Sequence, residues 1–297
     1  MVGDEDITID VALARRLVDA QFPSWLGLPI RAVASQGWDN RSFRLGDDFF
    51  VRLPSAEHYS GQVEKEQRWL PWLGPRLPLP VPAPVAQGEA SEDYPWAWSV
   101  YQWIPGETAS VDRISGMDAF AEDLGGFLNC LQRLESADGP VPGQHNFYCG
   151  GPITHYEHET DEAIARLDGQ IGTEAVREIW EAAKTSKWSG APRWFHGDVA
   201  EGNLLVQSGR LSAVIDFGCS GVGDSGCDLT IAWTFFSGTS RTRFRETLSA
   251  DGGMWARAQG WALWKALIIV AEIAGADASK KEQAWRVLKD LLDEYRQ

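Results

Sequence analysis

The 297-residue sequence is poor in basic residues. Lys and Arg together number 27 against 42 Asp and Glu, which gives a formal net charge of −15. Nucleic-acid binding draws its affinity largely from Lys and Arg set against phosphates, so this balance argues against a nucleic-acid partner. It suits a neutral or cationic small molecule better, although an excess of acid also simply keeps a protein soluble.

Cysteine and long apolar segments are also scarce. The four cysteines form no C-x-x-C pair and no disulfide-dense pattern, which favours a reducing cytoplasm. The first eight residues, M-V-G-D-E-D-I-T, lack the basic and then apolar segments of a secretory signal. The most apolar run, residues 266–271, is too short to span a bilayer. We therefore expect a cytoplasmic protein with no membrane partner.

Two motifs typical of protein kinases are missing. The N-terminal region has no G-x-G-x-x-G, and no A-P-E follows the D-F-G at residues 216–218. Gly37 is the glycine in the first turn of that region. The backbone of residues 37–40 is therefore predicted either to cover phosphates or to form an ordinary turn.

The stretch from 193 to 228 carries three features at fixed distances. Asp198 ends an H-G-D, Asn203 lies five residues further on, and Asp216 opens an intact D-F-G. Phosphoryl transfer from a nucleoside triphosphate to a hydroxyl group uses a carboxylate to receive the hydroxyl's proton and hard oxygen ligands for Mg²⁺. The order predicts Asp198 as the catalytic base and Asn203 and Asp216 as metal ligands.

A basic residue in the N-terminal part of the chain occupies a further position of the kinase template. The third predicted strand ends F-F-V-R-L-P, and its Arg52 stands where the kinase template has a phosphate-gripping Lys. A guanidinium keeps the charge but replaces a point charge by a planar fork. The following helix offers Glu64 and Glu66 as the partner of Arg52. They point in different directions on a helix, and we favour Glu66.

The chain is predicted to be α+β, with a β-rich N-terminal lobe and a mainly helical C-terminal lobe. A strand at A-W-S-V-Y-Q-W runs into the breaker I-P-G-E, a pattern expected of a hinge between lobes. The backbone of Tyr101, Gln102 and Trp103 is predicted to bond an adenine edge there. We therefore divide the chain into a nucleotide-covering lobe, residues 1–103, and a catalytic and substrate-binding lobe, residues 104–297.

Taken together, these motifs resemble the aminoglycoside phosphotransferase family of antibiotic and small-molecule kinases. H-G-D-V-A-E-G-N-L-L-V, V-I-D-F-G, V-R-L-P with E-K-E-Q-R-W-L, and Y-Q-W-I-P-G carry the resemblance over nearly the whole chain. It implies a two-lobed protein-kinase-like fold, ATP or GTP as donor, Mg²⁺, and a hydroxyl on a small molecule as acceptor. Asp198 matches the family's catalytic Asp, and Asn203 and Asp216 match its metal ligands.

The sequence departs from the family pattern at two places. Arg52 replaces the commoner Lys, as it does in members that resemble macrolide kinases. The residues after Asp198 are V-A-E rather than L-H-P, which leaves Glu201 as an extra contact near the acceptor. We favour an aminoglycoside-like acceptor, with a macrolide or an ordinary hydroxylated metabolite as alternatives. A nucleotide-binding pseudokinase and a protein kinase are the competing function classes.

Overall fold

The computed structural model describes residues 7–34, 36–37 and 39–296. The N-terminal stretch up to residue 6, and residue 38 within the predicted phosphate-covering turn, lie outside the described residues. The chain divides into two compact units. The first contains the chain up to Gly106 together with Ala213–Gly218, and the second contains Glu107–Ser212 and the chain from Cys219 onwards.

The first unit is a helix-flanked antiparallel sheet. Its strands pair in the order β1-β2-β3-β5-β4. In chain order the elements are α1 (Val11–Gln21), β1 (Ile30–Ala32), β2 (Asn40–Leu45), β3 (Phe49–Pro54), α2 (Glu57–Leu73), β4 (Pro84–Gly88) and β5 (Trp98–Gln102).

Local chemistry sets the ends of these elements. Asp10 caps α1 by accepting from the Leu13 N–H at 2.8 Å, and the helix ends before Pro23, as the sequence predicts. Gly46 joins β2 to β3 with a φ of 58°, a value that glycine adopts without steric cost. Alternate strand residues such as Phe43, Val51 and Val100 are buried with α1 in one apolar core.

Two elements of this unit differ from what their local sequence predicts. L-P-I-R-A-V-A, residues 28–34, has the apolar and β-branched content of a strand, but the strand is only Ile30–Ala32 long. The proline-dense segment 74–84 predicts an extended connector, but it begins with a 3-10 turn at Gly74–Arg76. Pro75 is tolerated there because the first residues of a helical turn need no N–H partner.

The second unit is mainly helical. Its helices are α3 (Met117–Gln132), α4 (Glu157–Arg166), α5 (Thr173–Thr185), α6 (Ile231–Thr234), α7 (Gly238–Thr247), α8 (Gly252–Val270) and α9 (Ala278–Tyr295). Short strands accompany them, namely β6 (Glu107–Thr108), β7 (Arg193–Phe195), β8 (Leu204–Gln207), β9 (Arg210–Val214) and β10 (Gly221–Gly223). The last two residues of β9 belong to the segment of the first unit.

The helices of this unit bury the faces that their periodicity predicts. The stripe of α3 that includes Phe120, Leu124 and Leu131 is fully buried. Asp251 and Asp277 cap α8 and α9 by accepting N–H bonds three residues on. Within the part of the chain that the structure describes, no helix is both long and apolar enough to cross a bilayer. The α+β class predicted from the sequence is confirmed.

Candidate functional site

In the first unit, β3 brings Arg52 into a cluster of carboxylates. Its Nη1 lies 3.2 Å from Glu66 Oε1, while Nη2 lies 2.8 Å from Asp216 Oδ1 and 3.5 Å from Asp39 Oδ2. The Arg52 side chain is only 10% exposed. A planar guanidinium with several donors can serve three partners at once, which a lysine ammonium does less well.

Glu66 is the helix residue that meets Arg52. It is buried on α2, whereas Glu64 is exposed, because residues two apart on a helix face different directions. The hydroxyl of Tyr101, on β5, also donates to Glu66. Glu66 therefore has one charged and one neutral partner that hold it on the buried side of α2.

The D-F-G segment also belongs to the first unit. Asp216 has a left-handed φ of 66°, and Phe217 beside it is buried. A Cβ on Gly218 would lie 2.7 Å from Gln62 Oε1, and the Gly218 carbonyl accepts from Lys65 Nζ. The segment is thus held by α2 on one side and by Arg52 on the other, which presets the direction of the Asp216 carboxylate.

Negative charge exceeds positive charge in this cluster. Burial works to lower the pKa of Arg52, but the carboxylates of Asp216 and Glu66 outweigh it and raise the pKa well above its usual range. Burial raises the pKa of Asp39 to about 6, with repulsion from Asp216 adding to the rise and Arg52 opposing it. One cation thus faces three carboxylates, so the cluster has room for further positive charge.

Two backbone donors of the predicted hinge already have partners within the protein. The N–H of Gln102 donates to the Ala83 carbonyl at 2.9 Å, and that of Trp103 donates to the Asp48 carbonyl at 2.7 Å. Both groups are therefore already bonded and are not free to reach an adenine. Ile104 carries the next backbone N–H, which has no backbone partner among the described residues. Tyr101 lies within β5, paired with β3 and β4.

The predicted phosphate-covering turn is described only in part. The Gly37 carbonyl accepts from Arg41 Nη1 at 2.9 Å, and a Cβ at Gly37 would lie 3.1 Å from Asp39 Oδ1. The absence of a side chain at Gly37 therefore leaves space for the Asp39 carboxylate.

In the second unit, the H-G-D sequence forms a tight turn at the end of β7. Gly197 has a φ of 87°, and a Cβ there would lie 2.3 Å from the Cys219 carbonyl oxygen. The fully buried Asp228 accepts from the backbone N–H groups of His196 and Gly197 at 2.9 and 2.7 Å. This is a structural role for Asp228, as expected from its place in G-D-S-G-C-D, and only glycine fits the middle of the turn.

Asp198 emerges from this turn with its side chain 45% exposed. Its Oδ2 accepts from Asn203 Nδ2 at 3.0 Å, and Lys265 Nζ lies 3.6 Å from Oδ1. The Asp198 N–H donates to Nδ1 of His196 at 3.3 Å. His196 is itself fully buried, so it orients the turn rather than meeting a substrate.

The predicted metal ligands offer suitable atoms. Asn203 uses its amide nitrogen towards Asp198, which leaves the hard carbonyl oxygen for a cation, and Asp216 presents a carboxylate. In the described ranges no group of three or more His, Cys, Asp and Glu could hold a metal ion. Mg²⁺ does not require such a group, since it is commonly held by one or two protein oxygens together with substrate phosphates and water.

Three residues of this region have roles that the sequence reasoning did not assign to their side chains, and Glu201 has a partner that it did not foresee. Glu201 accepts from Gln283 Nε2 on α9 at 3.2 Å, and its contact with the acceptor stays a prediction. Asp39 and Tyr101 join the Arg52 cluster through side chains that no motif marks. Lys265 did have a signal, because it is the one charged residue between Arg257 and Glu272 in an otherwise apolar helix.

Comparison with known proteins adds a family and a fold. The family model described as "Phosphotransferase enzyme family" matches residues 30–267. No match was found among curated proteins.

Solved structures of similar fold cover both chains almost completely. The GDP complex of aminoglycoside 2'-phosphotransferase-IIIa has a TM-score of 0.69 at 16% identity, covering 96% of this chain and 99% of its own. Its GDP and kanamycin complex has a TM-score of 0.67 at 18% identity, covering 95% and 98%. The macrolide 2'-phosphotransferase MphH from Brachybacterium faecium has a TM-score of 0.59 at 21% identity, covering 92% and 97%. These matches confirm the predicted kinase-like fold.

Proposed function

The chain belongs to the phosphotransferase enzyme family, and from that premise we propose that it moves the γ-phosphoryl group of ATP or GTP to a hydroxyl of a small molecule. The observation that carries the proposal is the half-exposed Asp198 carboxylate, held by Asn203 at the end of the rigid H-G-D turn. A base for an incoming hydroxyl must be oriented and yet reachable, and Asp198 meets both conditions.

In the proposed step the acceptor oxygen attacks the γ-phosphorus and a new O–P bond forms. The bond from the γ-phosphorus to the β–γ bridging oxygen breaks, and the nucleoside diphosphate leaves with that electron pair. The acceptor's proton passes to Asp198. Little covalent work falls to the protein in such a reaction, so positioning and charge supply most of the rate.

Asn203 and Asp216 are proposed to hold Mg²⁺, and Arg52 to hold phosphate with Glu66 as its anchor. The bound cation would neutralise charge on the β- and γ-phosphates. The excess of carboxylates around Arg52 supports this assignment, because Asp39 and Asp216 together leave negative charge that a cation offsets. Phosphate binding to Arg52 would take up donors that now face Asp39 and Asp216.

The nucleotide base is proposed to meet the backbone after β5. With the N–H groups of Gln102 and Trp103 already bonded, the carbonyls of this segment and the N–H of Ile104 remain for the base. The assignment of residues 1–103 to nucleotide covering and 104–297 to catalysis and acceptor binding stays a prediction. Gly37 is retained in it as the turn that makes room for Asp39.

For the acceptor we propose an aminoglycoside-like antibiotic. The net charge of −15 supports a cationic acceptor, and relatives of the same fold include a GDP and kanamycin complex. A macrolide is the second candidate, favoured by the Arg at position 52 and by the similarity of the fold to MphH.

The test is acceptor-dependent release of ADP or GDP, with kanamycin, gentamicin, streptomycin and a macrolide as acceptors and Mg²⁺ present. We expect Asp198→Asn to lower kcat by about 10²–10⁴-fold, because the variant has no carboxylate to take the proton, while nucleotide affinity is kept. Asp293→Asn is the matched control, since its side chain is also 45% exposed and ion-paired.

Three outcomes would contradict parts of the proposal. Equal turnover by Asp198→Asn and the wild type removes Asp198 as the base. Nucleotide binding that ignores Mg²⁺, without transfer to any acceptor, indicates a pseudokinase. Phosphate appearing on added proteins instead of small molecules indicates a protein kinase.

A further inference from the structure

A lysine from a distant part of the chain reaches the proposed base. Lys265 lies on α8, and its Nζ is 3.6 Å from Oδ1 of Asp198. It is the basic side chain that the described part of the chain brings within ion-pair distance of this carboxylate. No motif of the 193–228 stretch contains it.

The two oxygens of Asp198 have different partners. Oδ2 accepts a hydrogen bond from Asn203 Nδ2 at 3.0 Å, and the same amide nitrogen is 2.9 Å from the Asp198 carbonyl. Oδ1 faces Lys265 at a distance typical of an ion pair rather than a tight hydrogen bond. Asn203 thus fixes one oxygen, and Lys265 attracts the other without covering it.

The packing of α8 fixes the side of the helix on which the Lys265 ammonium lies. Trp264, next to Lys265, stacks on Tyr156 with ring centroids 3.7 Å apart and donates to Glu159 at 3.0 Å. Ala266 and Leu267 on the other side are buried. The helix around Lys265 therefore cannot rotate without breaking these contacts, and its side chain is kept on the Asp198 side.

Lys265 is a charged neighbour of the whole H-G-D turn. Burial raises the pKa of Asp228, while the backbone N–H bonds from Gly197 and His196 and the positive charge of Lys265 work against that rise. Partial burial works to lower the pKa of Lys265, but the negative charge of Asp198 and smaller contributions from nearby cysteines together outweigh it, and the pKa is raised. Lys265 therefore stays cationic at neutral pH.

Stability alone does not account for this pair. The side chains of Lys265 and Asp198 are 36% and 45% exposed. Ion pairs that are open to water contribute only about 0–1 kcal/mol, because water and salt screen them. The charge of Lys265, in the apolar C-terminal half of α8, is thus kept for little gain in folding free energy.

We propose that Lys265 is a positioning residue that holds Oδ1 of Asp198 in the direction of the acceptor hydroxyl and offsets the carboxylate's charge towards the γ-phosphate. The inference rests on the proposed function, in which Asp198 is the base. A bare carboxylate repels the γ-phosphoryl group as it moves onto the acceptor oxygen in the transition state, whereas a carboxylate with a fixed cation beside it repels it less. A carboxylate fixed at both oxygens also loses less rotational freedom when the acceptor arrives.

The test compares Lys265→Met and Lys265→Arg with the wild type in two assays. The first measures transfer to the acceptor of highest turnover, and the second measures hydrolysis of ATP and GTP, in which water is the acceptor. We expect Lys265→Met to lower kcat by about 10–100-fold, since a small misplacement of a reacting group has an effect of that size. KM for the nucleotide should stay within about threefold, because the lost interaction acts mainly in the transition state. Lys265→Arg should recover most of kcat, and ethylammonium should restore part of the activity of Lys265→Ala.

Lys289→Met is the matched control, because Lys289 forms an exposed helix ion pair with Asp293 on α9 and its loss should leave kcat unchanged. Unchanged kcat in Lys265→Met, with Asp198→Asn inactive, overturns the inference and leaves the proposed function standing. A different result also overturns the inference: a loss of kcat that is not recovered in Lys265→Arg or by ethylammonium in Lys265→Ala, together with a lower Tm. That result assigns Lys265 a structural role instead.

Crystal structures of the Lys265→Met and Lys289→Met variants give a readout that does not depend on activity. We expect Asp198 to change its side-chain rotamer in Lys265→Met and to keep it in the control. If the wild type transfers phosphate to no probe, the proposed function fails, and the rotamer of Asp198 still decides whether Lys265 positions it.

Discussion

The two clusters of polar residues, one in each unit, differ in the sign of their central charge and in its exposure to solvent. Around Arg52 one buried cation serves Glu66, Asp216 and Asp39, and its guanidinium is enclosed by sheet and helix. Around Asp198 one half-exposed carboxylate has an amide on one oxygen and a lysine near the other. The first arrangement is a preformed network around a buried guanidinium, and the second is an open group that a substrate can reach.

This difference follows from the work that each cluster is proposed to do. Buried charges are costly unless every partner is in place, so a buried cluster is rigid but sensitive to the loss of one member. An exposed carboxylate contributes little to folding and can exchange water for a hydroxyl group. The contrast predicts that substitutions at Arg52 act mainly on stability, whereas substitutions around Asp198 act mainly on kcat.

The largest effect is expected from Arg52→Met. Removing the cation leaves Glu66 buried without its charged partner, and loss of one member of a buried pair costs about 3–5 kcal/mol. The free energy of unfolding, measured by urea denaturation, should fall by that amount. Lys265→Met should change it by no more than about 1 kcal/mol, because its ion pair is exposed.

Arg52→Lys keeps a positive charge, so its free energy of unfolding should lie between those of the wild type and Arg52→Met. The comparison can therefore be measured even if Arg52→Met does not fold. Similar losses of stability in Arg52→Lys and Lys265→Met would remove the distinction between a buried and an open cluster.

A second effect concerns the H-G-D turn that carries Asp198. Gly197→Ala and Gly169→Ala both place a side chain at a left-handed φ, 87° and 76°, which costs about 1–2 kcal/mol. Only the Cβ at position 197 meets an obstacle, the Cys219 carbonyl at 2.3 Å, which adds about 1–3 kcal/mol.

The free energy of unfolding should therefore be highest for the wild type, lower for Gly169→Ala and lowest for Gly197→Ala. Only Gly197→Ala should lower kcat, by about 10²-fold, because a shift of the turn displaces Asp198. An equal effect of both variants on kcat would mean that the turn does not set the position of the base.

The smallest effect is a pH-dependent gain in stability. The pKa of Asp39 is raised to about 6, first by burial and then by the charge of Asp216. A carboxyl whose folded pKa lies above its unfolded value contributes stability that is complete below the unfolded pKa, near pH 4. That contribution is lost as the pH rises through the folded pKa, near pH 6.

Asp39→Asn mimics the neutral carboxyl. Its unfolding free energy in the presence of a chelator should exceed that of the wild type by about 1–2 kcal/mol at pH 8, from a shift of about two units allowed for screening. The difference should disappear near pH 4. A gain of the same size at both pH values would show that charge at Asp39 is not its cause.

Several parts of the fold and the site could be predicted from local sequence because local chemistry specifies them. Asp10 starts α1, and the apolar stripe of α3 predicts a buried face. The α+β class and the family follow from motifs with ordered spacing, and both are confirmed. The choice of Glu66 over Glu64 also rests on helix geometry, and the structure brings Glu66 to Arg52.

Other parts depend on contacts between segments far apart in the chain. Asp39 and Asp216 meet at Arg52, although 177 positions separate their numbers, and Lys265 reaches Asp198 from a helix that no motif identifies. The backbone contact to adenine stays a prediction, and the structure limits it to other groups than the N–H donors of Gln102 and Trp103, which bond to the carbonyls of Ala83 and Asp48.

By itself the sequence determined the family and the reaction class, and it led to the proposals for the base and for the oxygen ligands of the cation, because each depends on residue type and short spacing. The tertiary structure decided which charges share Arg52, which backbone donors near the hinge are used and which cation stands beside Asp198. Those properties depend on distances of a few ångströms between residues that only the folded chain brings together, and electrostatic energy changes steeply over such distances.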